Sequence, residues 1–224
     1  MPENAAHELM LFGLSFNMET LKMTWMVMVV VVILSIAATR SLKLVPAGLQ
    51  NVFEMIITGL NDQISANLGK RGAMFAPFLI SLFLFLLISN WWGLIPGMES
   101  PTNTLNTNLG LALLVVAMLH ILGLYYKGTK YIKSFFEPFA PFVIIKLIEE
   151  IAKPITLAFR LFGNILAGEL LIHILPTLLP NIIAEVIPGV VWLAFSLFVG
   201  AIQAFVFTML STSYLAEGVV EEEE

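Results

Sequence analysis

LAFRLFGNILAGELL, residues 157–171, sets an arginine and a glutamate, Arg160 and Glu169, into an apolar run. The nearest neighbours of Arg160 are Leu157, Phe159, Leu161 and Phe162, so no local carboxylate neutralises it. A charge at bilayer depth costs about 2.5–3.5 kcal/mol on insertion scales, and such residues line ion pathways or pair with a partner. A purely structural helix has no need of that penalty. The stretch therefore reads as the working part of a membrane-embedded ion path.

Composition agrees. Of 224 residues, 58% are hydrophobic and only 12% are charged, with a mean hydropathy of +0.91. A soluble domain needs far more polar surface, and apolar runs of about 20 residues are transmembrane candidates. The expected class is an all-α membrane protein, because lipid leaves helices or closed barrels as the only spanning structures. The absence of cysteine excludes disulfides and thiolate metal sites. His7, His120 and His173 are scattered, so neither a metal nor another cofactor is expected. The net charge of −5 owes four units to Glu221–Glu224 and gives no sign of a nucleic-acid partner. No Gly-rich loop cradles phosphate, so the chain on its own is not expected to be an enzyme. Glu3 and Glu8 stand where a secretory signal would be basic, which predicts that the amino terminus is retained.

Working outward, the chain reads as one membrane domain, 1–224. Residues 1–20 form a mixed-polarity lead, expected outside and either poorly ordered or lying on the surface. A first span covers 21–43, with the core MVMVVVVILSIAA. Residues 46–71 carry Leu49, Val52, Phe53, Ile56, Leu60, Ile64 and Leu68 at helical spacing, with polar residues opposite. That predicts an amphipathic helix along the membrane surface or packed on another element. The second and third spans occupy 73–126, the second closing on an aromatic anchor, Trp91 and Trp92. Residues 139–215 form a helical hairpin broken by Pro176, Pro180 and Pro188, its last element starting near Gly189. Both arms exceed a perpendicular crossing, which predicts two long helices oblique to the membrane. Residues 216–224 read as an acidic cytoplasmic tail. The total is about five transmembrane helices plus one surface helix. Arg40, Lys43, Lys70, Arg71, Lys127, Lys130 and Lys133 share one side if the spans alternate, which predicts an outer amino terminus and a cytoplasmic carboxy terminus.

Within the hairpin, Arg160 and Asn164 lie one turn apart on one face. Lys146 and Lys153 precede them at seven-residue steps and read as snorkelling or surface-paired residues beside Glu149 and Glu150. Glu169 is about half a turn out of phase with Arg160, with His173 one turn beyond it. Two polar stripes at different depths suit an ion path split into two half-channels. Arginine stays charged at any working pH and so blocks straight passage of a cation. Ser196, Gln203 and Ser211 give the last helix one polar stripe, expected to turn toward Arg160 and Asn164. The competing reading of Arg160 is a salt bridge within this chain, for which Glu99, Glu137 and Glu185 lie in predicted loops. His120 reads as a satisfied polar contact.

The run EEIAKPITLAFRLFGNILAGELL, followed by IQAFVFTMLSTSYL, resembles subunit a of F-type rotary ATP synthases. The loop LIPGMESPTNTLNTNLGLAL looks like that family's outer loop, and the likeness covers nearly the whole chain. It implies that Arg160 is the arginine facing a ring of c subunits. Asn164 and Glu169 would match the polar residues after it, and Gln203 the glutamine that approaches it from the last helix. Where some members carry a histidine seven residues before that glutamine, this chain has Ser196, which leaves His173 or water for its role. Asn106 would align with polar residues near the outer mouth. The resemblance also implies assembly with a b-subunit peripheral stalk and an F1 head, in a bacterial plasma membrane. The rival class is a self-contained secondary transporter or channel. That class favours internal repeats, and none is evident.

Overall fold

The computed structural model describes residues 8–11, 14–40, 43, 45–46, 48–95, 97–136, 141–178 and 182–220. Within these, the side chains of residues 8–16, 70, 71, 73, 169, 171–173, 175–178 and 182–188 fall outside the description.

Seven α-helices follow one small hairpin. Strands β1 (Glu8–Leu11) and β2 (Leu14–Asn17) pair antiparallel, with Glu8 opposite Asn17 and Leu11 opposite Leu14. Of the lead, residues 8–11 and 14–17 are thus a paired hairpin. Helix α1 (Met18–Thr39) starts at once, because the Asn17 side chain accepts from the backbone N–H groups of Glu19 and Thr20, at 3.0 and 3.4 Å. Most of α1 is exposed: Trp25, Val29, Ile33 and Ile36 point away from the bundle, as lipid contact requires.

Helix α2 (Leu49–Gly72) kinks at Gly69, where φ is 61°. Only its second half is amphipathic toward the bundle. Leu60, Ile64 and Leu68 are buried against α3 and α7, whereas Leu49 and Val52 remain exposed. Helix α3 (Ala76–Trp92) is the shortest of the apolar helices, and α4 (Leu105–Lys127) ends at Gly128, whose φ of 54° favours glycine. A short helix not foreseen in the sequence, α5 (Thr129–Ser134), follows it. The hairpin is formed by α6 (Phe142–Leu178) and α7 (Ile182–Val219), of 37 and 38 residues. At 1.5 Å per residue each is about 55 Å long, against a hydrocarbon core of about 30 Å.

By length and composition α1, α4 and residues 189–219 of α7 suffice to cross a membrane, with α3 a shorter apolar helix. Two boundaries differ from expectation. Helix α7 begins at Ile182, ahead of Pro188, so Glu185 lies in a helix rather than a loop. It also runs on to Val219 instead of fraying at 216. There the Lys127 ammonium reaches the Glu217 carbonyl at 2.7 Å and satisfies one of the helix's terminal acceptors.

The core lies where α3, α4, α6 and α7 meet. Leu79 and Leu86 on α3, Val115 and Leu119 on α4, Leu161 on α6 and Phe207 and Leu215 on α7 are essentially inaccessible. Gly218 sits against the backbone of α4, and Gly200 against side chains of α3. A Cβ on Gly218 would stand 2.9 Å from the Leu119 carbonyl oxygen, and one on Gly200 3.3 Å from the Asn90 side chain.

Candidate functional site

Helix α6 buries one stripe and exposes another. Lys153, Pro154, Leu157, Ala158 and Leu161 turn into the bundle, while Ile151, Ile155, Phe159, Arg160 and Asn164 are exposed. The buried residues recur at three and four, as a helix packed on α4 and α7 requires. Arg160 therefore projects from the surface of this chain. Among the described residues no carboxylate pairs with it and no hydrogen bond holds it.

One turn on, the Asn164 amide Nδ2 donates to Gln203 Oε1 of α7 at 2.7 Å. The sequence-predicted pair thus meets across the hairpin. Gln203 is only 4% exposed, and its Nε2 is buried without a protein acceptor. Ser196 lies two turns from Gln203 on α7, half-buried, with its Oγ unpartnered and about one van der Waals contact from the position of a Cβ on Gly168. The Trp192 indole N–H donates to the Gly168 carbonyl at 3.1 Å, a second hydrogen bond between the helices. Ser211 is fully buried and donates to the Phe207 carbonyl of its own helix, so it does not turn toward Arg160 through that hydroxyl. Glu169 and His173 both sit on α6, and their side chains lie outside the described residues. Asn106 is exposed in the first turn of α4, and no hydrogen bond joins it to the others.

Sequence reasoning missed the polar network beside Asn106. Asn90 Nδ2 donates to the Gly200 carbonyl at 2.9 Å and Asn90 Oδ1 accepts from Thr102 at 2.9 Å. Asn108 Nδ2 reaches the Thr102 carbonyl at 2.7 Å, and Ser100 donates to the Ser89 carbonyl at 2.8 Å. The Trp91 indole donates to the Leu197 carbonyl at 2.9 Å. These bonds pin the loop between α3 and α4 to the end of α3, and that end to the middle of α7. Asn108 Oδ1 and Ser89 Oγ remain buried without protein partners.

A second cluster, of which Glu217 and Tyr131 were not foreseen, closes the opposite end of the hairpin. Lys153 is 6% exposed and lies between Glu150, at 2.8 Å, and Glu217, at 2.5 Å. It is neither snorkelling nor surface-paired. Lys153 and Arg160 differ by only about 20° around α6, but the end of α7 covers Lys153, with the Tyr214 ring centroid 5.6 Å from Nζ. Glu150 Oε2 faces His120 Nε2 at 3.6 Å, and His120 Nδ1 shares a 2.8 Å hydrogen bond with the Tyr131 hydroxyl. Burial, with the Glu150 carboxylate behind it, pushes the Tyr131 phenol up to about 12. The Tyr131 hydroxyl therefore stays protonated in that bond. Lys146 donates to the Ser134 carbonyl. These groups wall a cavity of about 1190 Å³ between α4, α5, α6 and α7. No group of three or more metal-ligating side chains occurs among the described residues.

Comparison with known proteins adds the family. The model described as "ATP synthase A chain" matches residues 21–216. A protein of Desulforamulus reducens called ATP synthase subunit a is 46% identical over 219 residues, covering 95% of this chain and 83% of its own. Its namesake from Solidesulfovibrio magneticus is 43% identical over 195 residues, covering 85% and 80%. One from Anoxybacillus flavithermus is 37% identical over 228 residues, covering 93% and 94%. The match runs through α1 to α7 and takes in both arms of the hairpin that carries Arg160, Asn164 and Gln203, and so this chain belongs to the ATP synthase subunit a family, a membrane component of the enzyme that does not itself catalyse.

Proposed function

We propose that this chain is the stator of a rotary ATP synthase's membrane sector and conducts protons through two half-channels that meet at Arg160. One observation carries the reading. A permanently charged guanidinium stands exposed on a long helix with no carboxylate among the described residues against it, although the same helix buries and neutralises Lys153 two turns away. Such a cation calls for an acid supplied by a neighbour. A ring of c subunits, each bringing one carboxylate past Arg160, fits that need.

In this reading a carboxylate arriving beside Arg160 is held ionised and gives up its proton there. The guanidinium cannot be deprotonated, so no proton crosses directly from one half-channel to the other. Asn164 and Gln203 orient the approach, with Asn164 on the exposed face it shares with Arg160 and Gln203 holding it from behind. Glu169, with Ser196 and His173, would serve the outer half-channel, and Asn106 its mouth. Each charge moved across 100 mV contributes about 2.3 kcal/mol, so several must pass to drive one phosphorylation in the F1 head. The b-subunit stalk would hold this chain still against the ring. Basic loops on one side support a bacterial plasma-membrane orientation with the amino terminus outside.

The test is ATP-driven proton pumping by vesicles carrying the assembled complex. Arg160→Ala is expected to abolish pumping while ATP hydrolysis by the head persists. Normal pumping in that variant refutes the proposal.

A further inference from the structure

Of the polar contacts between α6 and α7, two stand in a common register. One is the Asn164–Gln203 hydrogen bond, and the other is Lys153 lying over Tyr214 and bonded to Glu217. From 153 to 164 on α6 and from 203 to 214 on α7 is the same eleven residues. Eleven residues make about three full turns, so each helix presents one face to both rungs. The rungs stand roughly 16 Å apart along the hairpin.

The buried polar residues between them, Thr208, Ser211 and Thr212 on α7, each donate to a carbonyl of their own helix, so the contact between the helices there is left to apolar side chains. Leu157 and Leu161 on α6 meet a partner helix bearing Val206, Phe207 and Leu210. In lipid no hydrophobic gradient favours one register of two such helices over another, and packing and polar contacts decide. Slipping α7 by one turn exchanges one apolar contact for another. It also drags Glu217 and Tyr214 away from a buried ammonium. A buried charge that loses its partner is strongly destabilised, and fixing register is the best-attested use of such groups.

We propose that Lys153, through Glu217 and Tyr214, is a positioning residue that sets the register of the α6–α7 hairpin, and so holds Gln203 opposite Asn164 beside Arg160. This rests on the reading of Arg160 given above. Lys153 touches no transported ion. Its effect on transport comes wholly through where α7 stops.

The experiment uses the complex assembled in membrane vesicles. In the observed register Leu157 lies level with Leu210, whereas a one-turn slip brings it level with Val206. Leu157→Cys/Leu210→Cys is expected to form a disulfide readily under a mild oxidant, and Leu157→Cys/Val206→Cys poorly. Adding Lys153→Met is expected to lower the first yield and proton pumping by at least about tenfold, with the second yield rising. Lys153→Arg is expected to retain both, and Lys153→Glu with Glu217→Lys, which keeps the charges of the cluster, to restore at least half. An unchanged Leu157–Leu210 yield in Lys153→Met overturns the proposal, as does a swapped pair no better than the single variants. If Lys153→Met does not assemble, Glu217→Gln and the swapped pair decide by the same yields. Because cross-linking is read without turnover, it judges Lys153 even if Arg160→Ala goes on pumping, a result that would defeat only the functional reading.

Discussion

The Asn164–Gln203 bond predicts an asymmetry between its two ends. Gln203 is 4% exposed, its Oε1 is used only by Asn164 at 2.7 Å, and its Nε2 already lacks a protein acceptor. Asn164 is exposed on the face it shares with Arg160. Asn164→Ala therefore strands a whole amide in the packed interior, a loss of about 1–3 kcal/mol. Gln203→Leu removes the buried amide at similar volume and leaves only an exposed one, which water or a neighbouring acid can satisfy. That change should cost less than about 1 kcal/mol. Adding Gln203→Leu to Asn164→Ala should then recover most of the loss, a coupling of about 0.5–2 kcal/mol. The assay is a double-mutant cycle on the purified membrane sector, unfolded with an anionic detergent in mixed micelles. The reasoning fails if Gln203→Leu is as damaging to stability as Asn164→Ala, or if the two losses simply add. Either outcome would mean that the Arg160 face is covered by lipid tails and not by a polar partner.

Other consequences are open to direct measurement. Gly218→Ala forces a methyl to within 2.9 Å of the Leu119 carbonyl and 3.1 Å of the Gly123 nitrogen. It should destabilise the complex by about 1–3 kcal/mol in thermal unfolding, despite the better helix propensity of alanine. A rise in stability would show that α4 and α7 do not touch there. The Tyr131 phenol titrates at about 12 in the fold against 10.0 when free, chiefly through burial and then the Glu150 carboxylate. Between pH 10 and 12 the unfolded chain loses that proton and the folded one keeps it. Stability contributed by Tyr131 is thus complete below pH 10 and lost toward 12, and Tyr131→Phe should flatten the decline seen by calorimetry. Arg160→Lys should leave pumping well below half of wild type, because a compact, strongly hydrated ammonium cannot copy a planar guanidinium; unimpaired pumping would mean that charge alone suffices.

Features set by local period were legible in the sequence. The apolar length of α1 and α4, and the one-turn spacing of Arg160 and Asn164, follow from about 100° per residue and from the length needed to cross lipid. The spacing of Ser196, Gln203 and Ser211 marked one polar stripe on the last helix, and of the three it is Gln203 that bonds to Asn164. Pairings across helices were not legible. Glu217 reaches Lys153 from 64 residues away, and Tyr131 reaches His120 from another helix. Whether two such groups meet depends on where helices cross, and no periodicity records that. Prolines misled in the other direction. Pro180 and Pro188 read as loop marks, yet α7 starts at Ile182 and carries Pro188 within it. Helices in membranes tolerate proline because neighbouring groups satisfy the freed carbonyl.

Lys153 and Arg160 show why the exposed charge is informative. They sit seven residues apart on one helix, nearly in line, with the same sign of charge. A chain needing only to hide two cations in an apolar bundle would treat both alike. Instead two carboxylates from two helices converge on Lys153, and none among the described residues approaches Arg160. Desolvating an ion costs several kcal/mol unless a partner compensates, so the difference cannot be neutral in energy. The cation left unpaired is the one beside the Asn164–Gln203 rung, on the face not covered by this chain's other helices. An acid from outside the polypeptide is the partner that position demands, and its coming and going is what a fixed guanidinium is suited to control.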